Sequence, residues 1–450
     1  MNTRELEIIN LLKKEVKPAL GCTEPIAVAL AVATARETIT NRCKNAFEAG
    51  HCATCSWLKK TDDKIHVEVS GNILKNGMGV GIPGTGMVGL DIAAALGAIC
   101  GKSKYGLEVL KEIDADSIEA AKKIVEAGKV KITLATTDKK LFIKARILED
   151  CGHYGEAVIA DGHDNVVKIT FDNFSTDEEE ANEVVQDNKP VYMPLIGSKL
   201  TIAEIFDFVE AIAFEDIEFI LDSKTLNLAL AEEGLKGDYG LNVGKTILNP
   251  KFKEIFGEDF MSYAMAMTAA ASDARMAGST LPAMSNSGSG NQGITVTMPI
   301  ISYALKYNIS EEELARALTL AHLVAIHIKT YLGKLSALCG CVIASTGAAC
   351  GLVYLRGGSY SHVCSAIKNM IGNITGMICD GAKVGCAMKV ASGVSSAIQS
   401  AVLAMEGISV SEHEGIIEKD IEKTIQNLGR IGSIGMQNTD NMILNIMVCK

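Results

Sequence analysis

Ser175–Pro190 reads STDEEEANEVVQDNKP, a mostly acidic and polar run, and it separates two stretches of different pattern. Such a composition suits a solvated linker better than a core element, which places a domain boundary there and gives domains 1–190 and 191–450. Upstream, helix and strand signals are mixed. Arg4–Val16 and Pro25–Thr38 have helical periodicity, whereas Ile65–Val69, Val130–Ala135, Leu141–Ile147, Glu156–Ile159 and Val166–Phe171 have strand character. The segment Asp161-Gly162-His163-Asp164-Asn165 between the last two reads as a hairpin turn. Downstream the pattern is helical almost throughout: Thr201–Ala213, Ile217–Glu233, Asp259–Met276, Met298–Tyr307, Glu311–Tyr331, Ser361–Met370, Met388–Met405 and Glu412–Leu428. The expected fold is an α+β N-terminal domain followed by a larger all-α, Gly-rich domain.

At 450 residues and 48% hydrophobic, the chain has ample material for two cores. Its net charge of −11 provides no basic footprint for nucleic acid or for an anionic membrane. Met1–Val16 reads as a charged amphipathic helix, not an apolar leader, so a cytoplasmic protein is expected. Leu335–Leu355 has no charge between Lys334 and Arg356 and is long enough to cross a bilayer, but its Gly, Cys, Ser and Thr content favours a buried segment of a core. The apolar tail Met442–Cys449 is expected to dock on the core. Thirteen cysteines without a leader argue against a disulfide framework and for metal or catalytic chemistry. Cys100, Cys151 and Cys364 suit the plainer role of small buried hydrophobes.

Four segments carry possible chemistry. In Gly21-Cys22-Thr23-Glu24-Pro25, Thr23 suits a helix N-cap and Cys22 would lie at the positive end of the helix, where thiolate is favoured. A buried thiol in a turn is the plain alternative. Gly81–Gly89 leads into a helix at Asp91–Ile99, and its Thr85 and Gly86 suit close approach to a carboxylate; it lacks a dinucleotide fingerprint. Ser285–Gly293 concentrates amides and hydroxyls, with Ser287, Ser289, Asn291 and Gln292 as candidate binders of a small zwitterion, against the plainer reading of a flexible joint. Cys339, Cys341, Cys350, Cys379 and Cys386 in an apolar, Gly-rich setting suit an iron–sulfur cluster or zinc, although no spacing among them is diagnostic. Cys52 and Cys55 form a C-x2-C without a partner pair and stay unassigned. Gly244-Lys245-Thr246 mimics a phosphate loop, but Tyr239 stands where that loop needs glycine. His322 and His327 are five residues apart, poor spacing for one metal; one suits the core and one a hydrogen-bonding role.

PALGCTEP (18–25), IPGTGMVG (82–89), SGSGNQG (287–293), LSALCGC (335–341) and GMICDGAK (376–383) together resemble the L-cysteine desulfidase family, which is related to the α chain of iron–sulfur L-serine dehydratases. The resemblance spans nearly the whole chain. It implies a [4Fe-4S] cluster, not pyridoxal phosphate, and conversion of L-cysteine to pyruvate, ammonia and sulfide. Carried onto this sequence, the cluster ligands fall on Cys339, Cys379 and Cys386, with Cys341 as the alternative to Cys339. The catalytic base falls on Cys22, with Glu24 of the same motif beside it. Cys449 stands where a C-terminal cysteine reaches the cluster in serine dehydratases. Lys329, Lys334 and Lys383 are candidate charge partners. The expected partner is a small amino-acid substrate, with no nucleic acid and no membrane, and a homodimer stays open. An L-serine or L-threonine dehydratase, or a non-catalytic metal-binding or redox-sensing protein, are the competing readings.

Overall fold

The computed structural model describes residues 2–48, 64–149, 152–172, 200–333 and 336–449. The run Ser175–Pro190, Cys52, Cys55, Cys151, Lys334 and Leu335 lie outside them. The chain divides into two compact units: Leu20–Pro194 with Gly278–Thr280, and Met1–Ala19 with Leu195–Ala277 and Leu281–Lys450. The first is an α+β unit and the second, larger one is helical.

In the α+β unit a five-stranded sheet runs in the order Val130–Leu134, Lys64–Val69, Phe142–Leu148, Tyr154–Ala160, Val166–Asp172. Only the pairing of Lys64–Val69 with Val130–Leu134 is parallel. Alternation decides which face is covered: Ile65, Val67, Val69, Ile143, Ala145 and Ile147 are buried while their neighbours are less so. The helix Thr23–Glu48 packs on this sheet so closely that a side chain on Gly155 would begin 2.4 Å from the carbonyl of Ala35. Gly97, in the helix Leu90–Ile99, meets the carbonyl of Ala29 in the same way. The expected hairpin turn joins Tyr154–Ala160 to Val166–Asp172, with Asp161 at φ 63°.

The helical unit owes its boundaries to capping. Asn2 with Glu5, and Ser310 with Glu313, form capping boxes for Thr3–Glu15 and Glu311–Leu332. Thr201, Asp259 and Ser289 cap Ile202–Ala211, Phe260–Met276 and Gly290–Tyr307. Ile8, Ile9 and Leu12 of the first helix share one core with Ile205, Val209, Leu318 and Ile343. Each such side chain contributes about 1.5–3 kcal/mol through burial. Gly340–Leu355 runs through this core, and Gly347 and Gly351 admit Ala321 and Ile300 at distances no side chain would permit. Gly340–Leu355, within the uncharged stretch, is therefore a buried helix, and among the described residues no helix is long and apolar enough to cross a membrane.

Three elements differ from the sequence reading. The helix expected from Met298 begins at Gly290. Thr295 and Thr297 bond back to the carbonyls of Asn291 and Gly293, and with Pro299 they hide a helical stretch behind residues of poor helix propensity. Of the expected helix Glu412–Leu428 only Ile421–Arg430 forms, because Asp420 caps it and Gly415 turns at φ 56° just before. The tail does not dock. Gln437–Val448 is a helix with no buried residue, and Met442 and Ile446 are 64% and 56% exposed. Apolar composition alone does not bury a terminal helix.

Candidate functional site

In the helical unit, the two cysteine segments are stitched together by backbone. Cys339 N–H donates to the Met377 carbonyl (3.0 Å), and Cys379 N–H donates to the Ala337 carbonyl (2.7 Å), around the bridge of Leu338 with Ile378. Cys386 opens the helix Cys386–Met405, its N–H bonded to the Lys383 carbonyl (2.9 Å). Cys339, Cys379 and Cys386 are close enough to feel one another's charge. Burial and then the neighbouring Cys379 push the Cys339 thiol up, and burial does the same to Cys386. Cys341 is pushed up still more firmly by burial; its thiol donates to the Lys389 carbonyl (3.1 Å) and rests against Gly393. Lys389 is the cation of this corner. Burial opposes its charge, but Asp380 holds it protonated; Asp380, paired with Lys389 and Lys383 against its own desolvation, falls to about 2.

Several thiols that resist ionisation, sharing one region without a disulfide among the described cysteines, are a donor set suited to a soft cationic partner. Among the described residues no three His, Cys, Asp or Glu side chains close on a single ion. Ligands of one ion converge within about 2.3 Å of a point, whereas those of a four-iron cluster stand further apart. Cys350 lies wholly in the core, Cys100 and Cys364 are half-buried, and Cys449 is exposed.

The Ser285–Gly293 loop belongs to the same unit. Ser285 and Ser287 donate their N–H groups to the carbonyls of Lys17 (2.8 Å) and Glu15 (2.9 Å). Ser287, at φ 49°, donates its hydroxyl to Asn286 Oδ1 (2.9 Å); Ser289 caps the helix by accepting from the Gln292 N–H (3.3 Å); and Asn291 accepts from buried Arg275 (3.2 Å). Gln292, 1% exposed, donates Nε2–H to Asn286 Oδ1 (2.7 Å). A side chain on Gly340, between Cys339 and Cys341, would begin 3.1 Å from Gln292 Oε1, so this loop abuts the thiol segment.

In the α+β unit, the helix Thr23–Glu48 starts one residue earlier than a Thr23 cap requires: the Cys22 carbonyl accepts the first bond, from Ile26 N–H (3.2 Å). The Cys22 thiol donates to Glu24 Oε2 (3.2 Å). Glu24 Oε1 accepts from Asn76 Nδ2 (3.0 Å), and His163 Nε2 stands 3.9 Å away. All four side chains are buried. The Gly81–Gly89 loop lies beside them, since Gly21, at φ 67°, leaves room only for Pro83, whose Cγ is 2.9 Å from where a side chain would begin. Thr85 closes that loop, its hydroxyl donating to the Ile82 carbonyl (2.8 Å) and accepting from Met87 N–H (3.0 Å), while Gly86 at φ 67° is exposed.

Asn76, His163, Arg275, Asn286 and Lys389 complete these groups and were not singled out as site residues from sequence. His163 sits in a segment legible only as a turn. Asn76 has no local signal at all, since it reaches Glu24 from the helix Gly71–Gly77. His327, by contrast, pairs with Glu422 (2.7 Å).

Residues 104–445 match the family described as serine dehydratase alpha chain. The chain is also 48% identical to a UPF0597 protein of Phocaeicola vulgatus, over 99% of this chain and 97% of that one. A UPF0597 protein of Oleidesulfovibrio alaskensis is 48% identical over 98% and 97%, and one of Shewanella halifaxensis 45% identical over 98% of each. The family match begins beyond Cys22, Glu24, Thr85 and Gly86, whereas the relatives align across nearly the full length. With most of its length matched, the chain belongs to the serine dehydratase alpha-chain family.

Proposed function

We propose that the protein is an iron–sulfur β-elimination lyase of the cytoplasm, converting L-cysteine to pyruvate, ammonia and sulfide. The observation that carries this reading is the meeting of Cys339, Cys379 and Cys386 in one half-buried corner. Their donor chemistry fits a [4Fe-4S] cluster: three thiols, Cys339 and Cys386 among them raised by burial, that lose their protons when a metal takes their place. When bound, such a cluster with one iron not tied to protein supplies a Lewis acid for the departing β-substituent.

The remaining work falls to the chain itself. Lys389 offsets the negative charge that gathers on the three sulfurs, and Asp380 keeps Lys389 protonated. Cys22 is the base for the Cα proton. Its thiol hydrogen is directed at Glu24, so passing that proton to the carboxylate leaves a thiolate, and Asn76 holds Glu24 in place by its other oxygen. The Ser285–Gly293 loop orients the amino acid. Loss of the Cα proton and of sulfide gives aminoacrylate, which tautomerises and takes up water to yield pyruvate and ammonia.

L-serine as the preferred substrate is the second reading, favoured by the description of the matching family. Anaerobic iron and sulfide reconstitution, followed by parallel assays on L-cysteine and L-serine, tests both. Sulfide and pyruvate in equal amounts, with kcat/KM higher for L-cysteine, is the expected result. A higher value for L-serine reverses the substrate assignment. Bound iron with no turnover of either amino acid leaves a non-catalytic metal protein.

A further inference from the structure

Gln292 Oε1 is a buried oxygen that accepts no hydrogen bond from the described residues, in a side chain 1% exposed. An amide of this kind could in principle turn over and exchange oxygen for nitrogen, but its neighbours forbid it. The main-chain carbonyl of His322 lies 3.3 Å from Asn286 Nδ2, and a carbonyl only accepts, so the Asn286 amide must present nitrogen to it. The same nitrogen donates to His322 Nδ1 (2.9 Å). His322, wholly buried and held far below its ordinary pKa by desolvation, is neutral, so it accepts there and carries its proton on Nε2, facing Ser223 (3.4 Å). Asn286 Oδ1 is thereby turned toward Gln292 and Ser287, and accepts from both. Gln292 must then point Nε2 at Asn286 and its oxygen the other way. That oxygen faces Gly340, the residue between Cys339 and Cys341.

We propose that Gln292 Oε1 is the acceptor for the ammonium group of the amino-acid substrate, with Asn286 as the positioning residue that fixes its direction. This rests on the amino-acid lyase reading above and names one atom within it. A buried acceptor left without a donor is costly, and a charged N–H donor returns the most. Gly340 leaves the space beside the oxygen free of a side chain, which would begin 3.1 Å from it.

The test uses anaerobically reconstituted protein and two non-reacting probes. L-alanine retains the ammonium but has no leaving group, and propionate lacks the ammonium. The reading is the ratio of their dissociation constants, with iron content and melting temperature measured for each variant. Wild-type protein is expected to favour L-alanine. Gln292→Met, of similar shape but without an acceptor, lowers that preference about 10- to 100-fold while propionate binding is unchanged. Asn286→Ala lowers the preference in the same sense, a loss of selectivity that general loosening does not produce. Gln292→Glu, measured at a pH where its buried carboxyl is protonated, donates O–H to Asn286 Oδ1 in place of the amide and leaves its other oxygen as the acceptor; it keeps the preference, and decides the matter should the Met variant fail to fold. Wild-type selectivity that survives in Gln292→Met, or that is lost equally in Gln292→Glu, overturns this assignment alone. Iron-loaded wild-type protein that binds neither probe overturns the amino-acid reading together with it.

Discussion

Among the described residues two helices have a cysteine immediately before their first residue, and the two cysteines keep different company. Cys22 precedes Thr23–Glu48, and its thiol has a carboxylate to donate to; Cys339 is the N-cap of Gly340–Leu355, and its thiol is surrounded by other thiols. Neither Cys22 nor Cys339 is a conventional capping residue, and each lies at the helix end that favours negative charge. The local device is the same. What differs is where the proton goes: at Cys22 a fixed acceptor stands ready for it, as a base requires, while the groups that act on Cys339 are the thiols of Cys379 and Cys386 and the cation of Lys389, and a cation in place of the proton relieves the crowding. A helix-start cysteine therefore says little until its neighbours are known.

The largest expected effect separates the two. Cys379→Ser removes a sulfur from the crowded start, and reconstituted protein is expected to lose most of its iron together with at least about 1,000-fold in kcat/KM. Cys22→Ser should lose activity by about 100- to 10,000-fold while binding iron as the wild type does. Iron content and turnover measured on the same samples check this; equal iron loss in both variants would erase the distinction drawn above.

The next effect concerns pH. His322 titrates at about 3 in the folded protein because it is wholly buried, against about 6.5 in an unfolded chain. The unfolded state therefore binds more protons between these values. Stability contributed by the neutral ring is complete above about pH 6.5 and is lost as pH falls toward 3, by on the order of 5 kcal/mol in all. His322→Asn retains an acceptor for Asn286 and cannot titrate, so denaturant unfolding from pH 7 to 4 should show a shallower decline for the variant. Parallel slopes would mean that the ring is protonated in the fold, and the orientation argued for Gln292 would lose its support.

How much of this was readable beforehand depended on the range of the determining contact. The strands were legible because alternation along Lys64–Val69 and Phe142–Leu148 reports a half-buried sheet directly. The two cysteine segments stood out as motifs, but their stitching by Cys339 N–H and Cys379 N–H is a long-range backbone event with no local sign. Asn76 and His163 reach Glu24 from elements far along the chain, and the direction of Gln292 is set by a main-chain carbonyl, which carries no sequence identity at all. The start of Gly290–Tyr307 was obscured for the opposite reason: Thr295, Thr297 and Pro299 are locally poor helix residues that packing overrides.

A moderate effect tests whether the two helices are equally tightly held. Gly97 faces the carbonyl of Ala29 on the first helix, and Gly347, within the second, faces the carbonyl of Ala321, each leaving 2.4 Å for a side chain's first atom. Gly97→Ala and Gly347→Ala should each destabilise by about 1–3 kcal/mol through forced separation of packed backbones. Urea unfolding monitored for each variant measures this, and a neutral result at either position would show that its helix can shift without loss.

The smallest effect is the most discriminating about design at the helix starts. Thr23, the first residue of its helix, carries a buried hydroxyl with no hydrogen-bond partner among the described residues, whereas the Thr346 hydroxyl within Gly340–Leu355 donates to the Val342 carbonyl at 2.8 Å. Replacing either by Val keeps the shape and removes the oxygen. At Thr346 the change forfeits a made bond and leaves the carbonyl with one partner fewer, for a loss of about 1 kcal/mol. At Thr23 it removes an unsatisfied polar group, so stability should hold or rise by a few tenths of a kcal/mol. The two melting curves, run side by side, are expected to move in opposite directions. If Thr23→Val instead melts lower by as much as Thr346→Val, the hydroxyl has a partner within the fold, and the first helix start holds no polar group in reserve.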